Sequence, residues 1–529
     1  MTGGDAGRGI SRRLFLGGTM LAGIGLGVGI PFVQGSAGSS STGSLLRSRL
    51  PLPEPFTLPF RVPPVLRPRR SDEHADFYDI DQTVADAAII PGVRTPIWGY
   101  QGMFPGPTIE SRRGRAAMVT HTNRLPVPTV VHLHGGRTPH DSDGYPTDFV
   151  YPVDRSFMDE HAGAGGMHGS VMMGDTSDGE RVYSYPLEQR AAMLWYHDHR
   201  MDFTGPAVWR GLAGMHIVRD ETEDALGLPS GERELPLMIT DRSFAADGSL
   251  LYPNVDPTLL VKPGVTDAFI AGVLGDVMLV NGTPWPQARV ARASYRLRVL
   301  NACNARRLDL RLEARPAPQL VQIGTDGGLL ASPIAHDHFE LAPAQRLDAL
   351  VDFSGYPPGT TVTLLNDFGD GNMSQIMRFM VEDREAEPYA IPDTLSTVEP
   401  LLARDAVARR TFRFRSGDVD HRKGWLIDGR PFRPNDIAAA VELGTVEVWR
   451  LVADFHHPVH IHLNPFQVLS RGIGGPGPFD AGWKDTIDLR PSEEAEIAIR
   501  FDGYRGKYVF HCHNLEHEDM AMMANFTTR

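Results

Sequence analysis

The sequence predicts an all-β protein made of three β-sandwich domains, and three observations carry that prediction. Short runs rich in Val, Leu, Tyr and Phe alternate with turns of Gly, Pro and Asp, and Gly (55) and Pro (42) are both frequent in the 529 residues. Segments with a 3.6-residue apolar period are scarce, which disfavours an alternating α/β chain. Turn motifs also recur: Phe104-Pro105-Gly106-Pro107, Val280-Asn281-Gly282-Thr283-Pro284 and Leu426-Ile427-Asp428-Gly429-Arg430-Pro431 each precede a β-rich stretch. Their separations, about 175 and 145 residues, suggest one plan used three times.

Taken in order, the chain opens with an address. Ser11-Arg12-Arg13-Leu14-Phe15-Leu16 leads an apolar run to Val33, diluted by Gly17, Gly18, Gly23, Gly25, Gly27 and Gly29, and Gly35-Ser36-Ala37 supplies small residues. Two arginines before a weakly apolar stretch read as a twin-arginine export signal over residues 1–37, with an extracellular or cell-envelope destination. An uncleaved anchor is the alternative, but six glycines make a poor membrane helix, so no stable membrane span is expected. Residues 38–68 form a linker and a proline-rich lead-in, expected to run extended over the surface of the folded chain after it. Strand-like runs then fall in a first domain (69–222; Ala117-Met118-Val119-Thr120), a second (230–385; Tyr295 to Leu300, Leu347 to Phe353) and a third (405–529; Val446 to Val452, Lys507 to Phe510). The cuts lie near Asp220–Glu234 and Glu385–Asp405, where charge and proline rise.

Composition excludes some functions. With 41% hydrophobic and 22% charged residues the chain is ordinary globular protein. A net charge of -13 lacks the basic footprint that nucleic acid requires, so no such partner is expected. The two cysteines, Cys303 and Cys512, rule out a disulfide framework.

The histidines carry the chemistry. Twenty histidines placed at random would give about 0.8 His-x-His pairs. Five occur, at 132/134, 197/199, 336/338, 460/462 and 511/513, and four sit in denser clusters. Residues i and i+2 of a strand share a face while i+1 takes the other. His511 and His513 therefore point one way and Cys512 the other, and His457 has the opposite parity to His460 and His462. One face gathers Cys512, His457, His517 and Met522: two imidazoles, a thiolate and a thioether, the donor set of a blue one-electron copper site. The other gathers eight imidazoles, His132, His134, His197, His199, His460, His462, His511 and His513, enough for three more coppers as 2 + 3 + 3. Structural zinc needs four ligands rather than twelve. His336-Asp337-His338 reads as incidental, and His456 as a flank of His457.

These residues resemble the multicopper oxidases, the blue-copper laccase family, from about Leu50 to the C-terminus, with HCHNLEHEDMAMM the most specific stretch. Gly144-Tyr145-Pro146, Ile239-Thr240-Asp241-Arg242 and Gly482-Trp483-Lys484-Asp485-Thr486 are similar to the branch of spore-coat laccase, bilirubin oxidase and phenoxazinone synthase. The resemblance implies three cupredoxin-like Greek-key domains and four copper ions. It places His457, Cys512, His517 and Met522 on the type 1 copper, and His132 and His460 on type 2. His134, His197, His199, His462, His511 and His513 go to the type 3 pair. Met522, rather than Leu or Phe at that position, implies a lower type 1 potential.

Small phenolic or aminophenolic reductants and dioxygen are the implied partners, with dioxygen reduced to water. Asp143 and Glu518 match acidic positions that assist proton delivery in this branch; a turn-stabilising Asp and a solvated Glu are the plainer alternatives. One chain holds a whole ligand set, so a monomer is expected. Cuprous or manganous ion oxidation in metal homeostasis, and a non-enzymatic exported scaffold, are the competing readings. The insert 156–179, with Met158, Met167, Met172, Met173, His161 and His168, is either a copper-recruiting loop or a flexible Gly-rich surface loop. Gly472–Gly482 is expected to border substrate entry, and Cys303 to be a small buried residue.

Overall fold

The structure is a computed structural model that describes residues 41–154, 174–385, 389–419 and 422–529. The expected export signal and the methionines of the insert lie outside the described residues. Four of the five strand-like runs of the sequence lie wholly in strands, Ala116–Asn123, Ser294–Asn301, Thr445–Ala453 and Gly506–Cys512, and the fifth lies in Arg346–Asp352 but for Phe353. In Ala116–Asn123 buried and half-buried residues alternate strictly, as the side-chain period of a strand demands.

The larger sheets fall into three sets along the chain. Two five-stranded sheets occupy residues 65–219, a seven-stranded and a five-stranded sheet residues 234–385, and two five-stranded sheets residues 406–528. The last sheet shows the Greek-key crossing. Its strand order is Ile437–Val441, Met523–Thr528, Gly506–Cys512, His457–Ile461, Thr486–Leu489, so the first strand in sequence pairs with the last, and two strands separate it from the second. Each set encloses an apolar core, built around Trp285 and Phe379 in the second set and around Trp449 and Phe510 in the third.

The recurring turn motifs do the work their residues suit. Asn281 and Gly282 have φ of 51° and 77°, and Asp428 and Gly429 φ of 51° and 75°, the doubly left-handed turn that Asn-Gly and Asp-Gly favour in a hairpin. The lead-in lies along the second set: the Phe56 and Phe60 amides donate to the Trp285 and Gln287 carbonyls. Val65–Leu66 then pairs with Thr108 and Ile109. Among the described residues no helix is long and apolar enough to cross a membrane.

The elements that bear the site, in chain order, are β1 (Val131–His134), β2 (Ala192–Asp198), α1 (Thr204–Arg210), β3 (Arg346–Asp352), β4 (His457–Ile461), β5 (Thr486–Leu489), β6 (Gly506–Cys512) and α2 (Leu515–Asp519). β1 pairs with β2, setting His132 opposite His197. β4 lies between β5 and β6, setting His460 opposite both His511 and Thr486. First- and third-set strands thus present their histidines to one another.

Candidate metal centre

The alternation of β6 is realised. Cys512 Sγ lies 3.4 Å from His457 Nδ1 and 3.6 Å from His517 Nδ1, and the two nitrogens are 3.1 Å apart. The remote nitrogen of each ring is tied down: His457 Nε2–H donates to Asp454 Oδ1 (3.0 Å) and His517 Nε2–H to the Ala271 carbonyl (3.2 Å). α2 carries His517 back over Cys512. The chain then returns, with the Met522 amide donating to the His517 carbonyl and the Cys512 amide to the Met522 carbonyl. Met522 is buried in the same apolar cluster as Cys512. The Trp425 indole stacks on His517 at 3.7 Å, and the Asn514 amide donates to Cys512 Sγ. Burial pushes the Cys512 thiol well up and both imidazoles down. The trio favours its uncharged forms, and a soft cation is what would hold the sulfur as thiolate.

On the opposite face of β6 all eight histidines are buried together. His199 Nε2 and His462 Nε2 each lie 3.3 Å from His511 Nε2. Four rings are anchored by one nitrogen: His132 Nδ1–H donates to the Asp143 carbonyl (2.5 Å), His197 Nδ1–H to the Asp198 carbonyl (2.8 Å), His460 Nδ1–H to the Asp485 carbonyl (2.9 Å) and His134 Nε2–H to Asp485 Oδ1 (3.0 Å). Their other nitrogens, and both of His513, are buried without a hydrogen-bond partner among the described residues. An orphaned buried polar atom costs about 1–3 kcal/mol, and a concentration of them in one place calls for shared cations. Burial lowers the imidazoles of His132, His134, His460, His462 and His513 well below the usual range, and brings His199 to about 4 and His197 to about 3, leaving these in the neutral form that ligates metal. Donor type, burial and orphaned nitrogens therefore fit copper ions at both places.

The two expected acids meet the cluster directly. Asp143 follows the turn His140–Ser142, and besides its carbonyl bond to His132 it accepts His462 Nδ1–H at Oδ2 (2.7 Å). Burial pushes its carboxyl well up. Glu518 Oε2 lies 3.1 Å from His511 Nδ1, and its Oε1 accepts the Thr204 hydroxyl of α1 (2.8 Å). Burial alone would raise Glu518, but His511 and His199 beside it bring it down to about 2. Both side chains are almost wholly buried, so Glu518 is not solvated; Asp143 also closes the turn His140–Ser142, its amide donating to the His140 carbonyl.

Other expectations resolve simply. His336 Nε2 bonds to Gln322 and His338 Nδ1 to Asp309, and neither joins a metal-competent group among the described residues. Cys303 and Cys512 are free and buried. In the Gly472–Gly482 loop, Phe479 packs on His336 and Phe339 of the second set. A cleft of about 400 Å³ does reach the cluster, opening on His132, His460 and His462 between Gly135, Gly136 and Trp483. Sequence reasoning missed Asp454, Asp485, Trp425 and the Ala271 carbonyl as partners of the histidines, and Thr204 as the partner of Glu518. Asp454 stands three residues before His457, a usable signal; Ala271, remote in sequence, gave none.

A cysteine-centred site and a histidine cluster on two faces of one strand define a copper-dependent oxidase. The chain belongs to the multicopper oxidase family: two sequence profiles described as multicopper oxidase match residues 404–529 and residues 83–158 and 154–223. It is an oxidoreductase with oxygen as acceptor, and the family implies copper ions as cofactor. Among its relatives are a laccase of Bacillus subtilis, 34% identical over 89% of this chain and 98% of that protein, and a bilirubin oxidase of Albifimbria verrucaria, 33% identical over 89% and 81%. The crystal structure of a laccase from Pediococcus acidilactici superposes with a TM-score of 0.77 at 31% identity, covering 92% of this chain and 96% of that one.

Proposed function

We propose that the protein oxidises small phenolic or aminophenolic compounds one electron at a time and reduces dioxygen to water, using four copper ions. The observation that carries this reading is β6, where Cys512 serves one site and its bonded neighbours His511 and His513 serve the other. His457, Cys512, His517 and Met522 would hold the type 1 copper, and His132 and His460 the type 2 copper. His134, His197 and His513 would hold one type 3 copper, and His199, His462 and His511 the other. The last trio is the one whose Nε2 atoms converge.

Bound copper supplies one-electron redox chemistry at the first site and dioxygen binding at the second. The protein's own residues do the rest. Asp454 and Ala271 fix the two imidazoles beside Cys512, while Trp425 and Phe455 exclude water from them. The path from Cys512 to His511 is covalent, and the Cys512 carbonyl also lies 3.2 Å from His511 Nδ1. Reducing dioxygen to water takes up protons, and Asp143 and Glu518, which touch His462 and His511, assist their delivery. We further propose that the chain works as a monomer and is exported by the twin-arginine route, on the strength of Arg12-Arg13 and the Gly-diluted run after them.

Oxygen uptake by copper-loaded protein, with o-aminophenol compared against cuprous ion, tests the reading. Fast uptake with the aminophenol supports it. Uptake with cuprous ion alone would replace it with a role in copper homeostasis.

A further inference from the structure

The second set of sheets supplies none of the proposed copper ligands, yet one of its arginines reaches the aspartate that holds two of them. Asp485, just ahead of β5, holds two histidines at once. Its carboxylate accepts His134 Nε2–H at 3.0 Å, and its main-chain carbonyl accepts His460 Nδ1–H at 2.9 Å. The two rings stack at 3.6 Å with 17° between their planes. The orientation of Asp485 therefore fixes both.

Arg346, the first residue of β3, sets that orientation. Its Nη1 and Nη2 clamp the two oxygens of Asp485, with the Nη1 contact at 2.8 Å. Its remaining N–H groups donate to the carbonyls of Met193 (3.0 Å), Ala344 (2.8 Å) and Asp326 (3.2 Å), so all five guanidinium donors are used. Asp326 accepts the Arg346 amide (2.7 Å) and pairs with Lys484 Nζ (3.1 Å). Next door, Gln345 Nε2 donates to the Thr486 carbonyl (2.9 Å). Lys484, Asp326, Arg346 and Asp485 thus form a buried chain of alternating charge that links the third set to the second and ends at the histidines. A fork-to-fork arginine–carboxylate pair fixes the carboxylate plane, which a lysine cannot do.

A second feature points the same way. Gly135 follows His134 with φ +82°, and a Cβ there would lie 2.8 Å from both Arg346 Nη2 and Asp485 Oδ2. The missing side chain is what lets the ion pair press against the backbone that carries His134.

We infer that Arg346 is a positioning residue for copper retention: acting through Asp485, it orients His134 and His460. The inference rests on the assignment of those two histidines as ligands. Partners that orient a metal-bound imidazole are worth roughly 10- to 100-fold in metal affinity by general experience.

The test compares copper-loaded wild type with Arg346→Gln, Arg346→Lys and Asp485→Asn during dialysis against a chelator. Copper per chain, the blue absorption and the paramagnetic signal of the non-blue copper are followed together. In Arg346→Gln and Asp485→Asn the blue band should persist while non-blue copper leaves about 10-fold faster or more. Arg346→Lys should fall between them and wild type. Loss rates equal to wild type in variants that keep the blue band would overturn the inference. A wild type that retains only its blue copper would instead overturn the ligand assignment. Should the variants fail to fold, hydrogen exchange on wild type decides: copper loading should slow exchange of the Arg346 amide, and an unchanged rate contradicts the coupling.

Discussion

Cys512 and His511 are adjacent in sequence and serve different sites. Cys512 Sγ lies 3.4 Å from His457 Nδ1, while His511 Nε2 lies 3.3 Å from both His199 and His462. Strand geometry alone produces this division, because neighbouring side chains of β6 must emerge on opposite faces. Cys512→Ser removes the only sulfur anion of the first site and leaves the histidine cluster intact. The blue absorption should vanish and oxygen consumption fall to background, while copper at the histidine cluster remains detectable by its paramagnetic signal. A blue Cys512→Ser protein would contradict the assignment.

Asp143 and Glu518 are the buried carboxyls in contact with His462 and His511. General acid–base groups contribute roughly 100-fold or more to rates. Asp143→Asn and Glu518→Gln should each slow oxygen turnover on about that scale and leave the blue band unchanged. Turnover equal to wild type in either variant would remove that residue from proton delivery.

Met522 is buried in the apolar cluster that contains Cys512. A thioether in the axial position tunes the potential of a blue copper. Met522→Leu takes away that weak donor, so redox titration of the blue band should show a higher potential with the colour kept. A potential equal to or below that of wild type would exclude Met522 as a ligand.

Acid should unfold the copper-free protein. Burial lowers His199 from the ordinary 6.5 to about 4 and His197 to about 3. Between pH 6.5 and those values the unfolded chain binds more protons than the folded one, so stability rises with pH and is lost as the pH falls through that window. The thermal midpoint of apo-protein should drop steadily from about pH 7 to about pH 4. Copper competes with protons for the same nitrogens, so the loaded protein should hold its midpoint to lower pH. Protonated His197 and His199 imidazoles in folded apo-protein at about pH 5.5, read by NMR, would contradict the neutral buried cluster.

Much of this architecture was legible because it is periodic. His511, Cys512 and His513 fix a two-sided strand by parity, and the Asn281-Gly282 and Asp428-Gly429 hairpins follow from residues that tolerate positive φ. The parity reading extended correctly to His457 despite Pro458, because β4 stays in register with β6 through Val459 and His460. What stayed hidden was long-range. Arg346 meets Asp485 across 139 residues, and Ala271 meets His517 across 246; no local pattern encodes either contact. The burial of Glu518 was hidden for the same reason, since α1, which brings Thr204 onto it, lies 314 residues earlier.

Electrons taken at the Cys512 site should reduce dioxygen fully at the histidine cluster. Simultaneous measurement of aminophenol oxidised, oxygen consumed and peroxide formed tests it most directly. Four electrons should be withdrawn per dioxygen, with no accumulation of peroxide. Two electrons per dioxygen, with peroxide appearing in step, would contradict it.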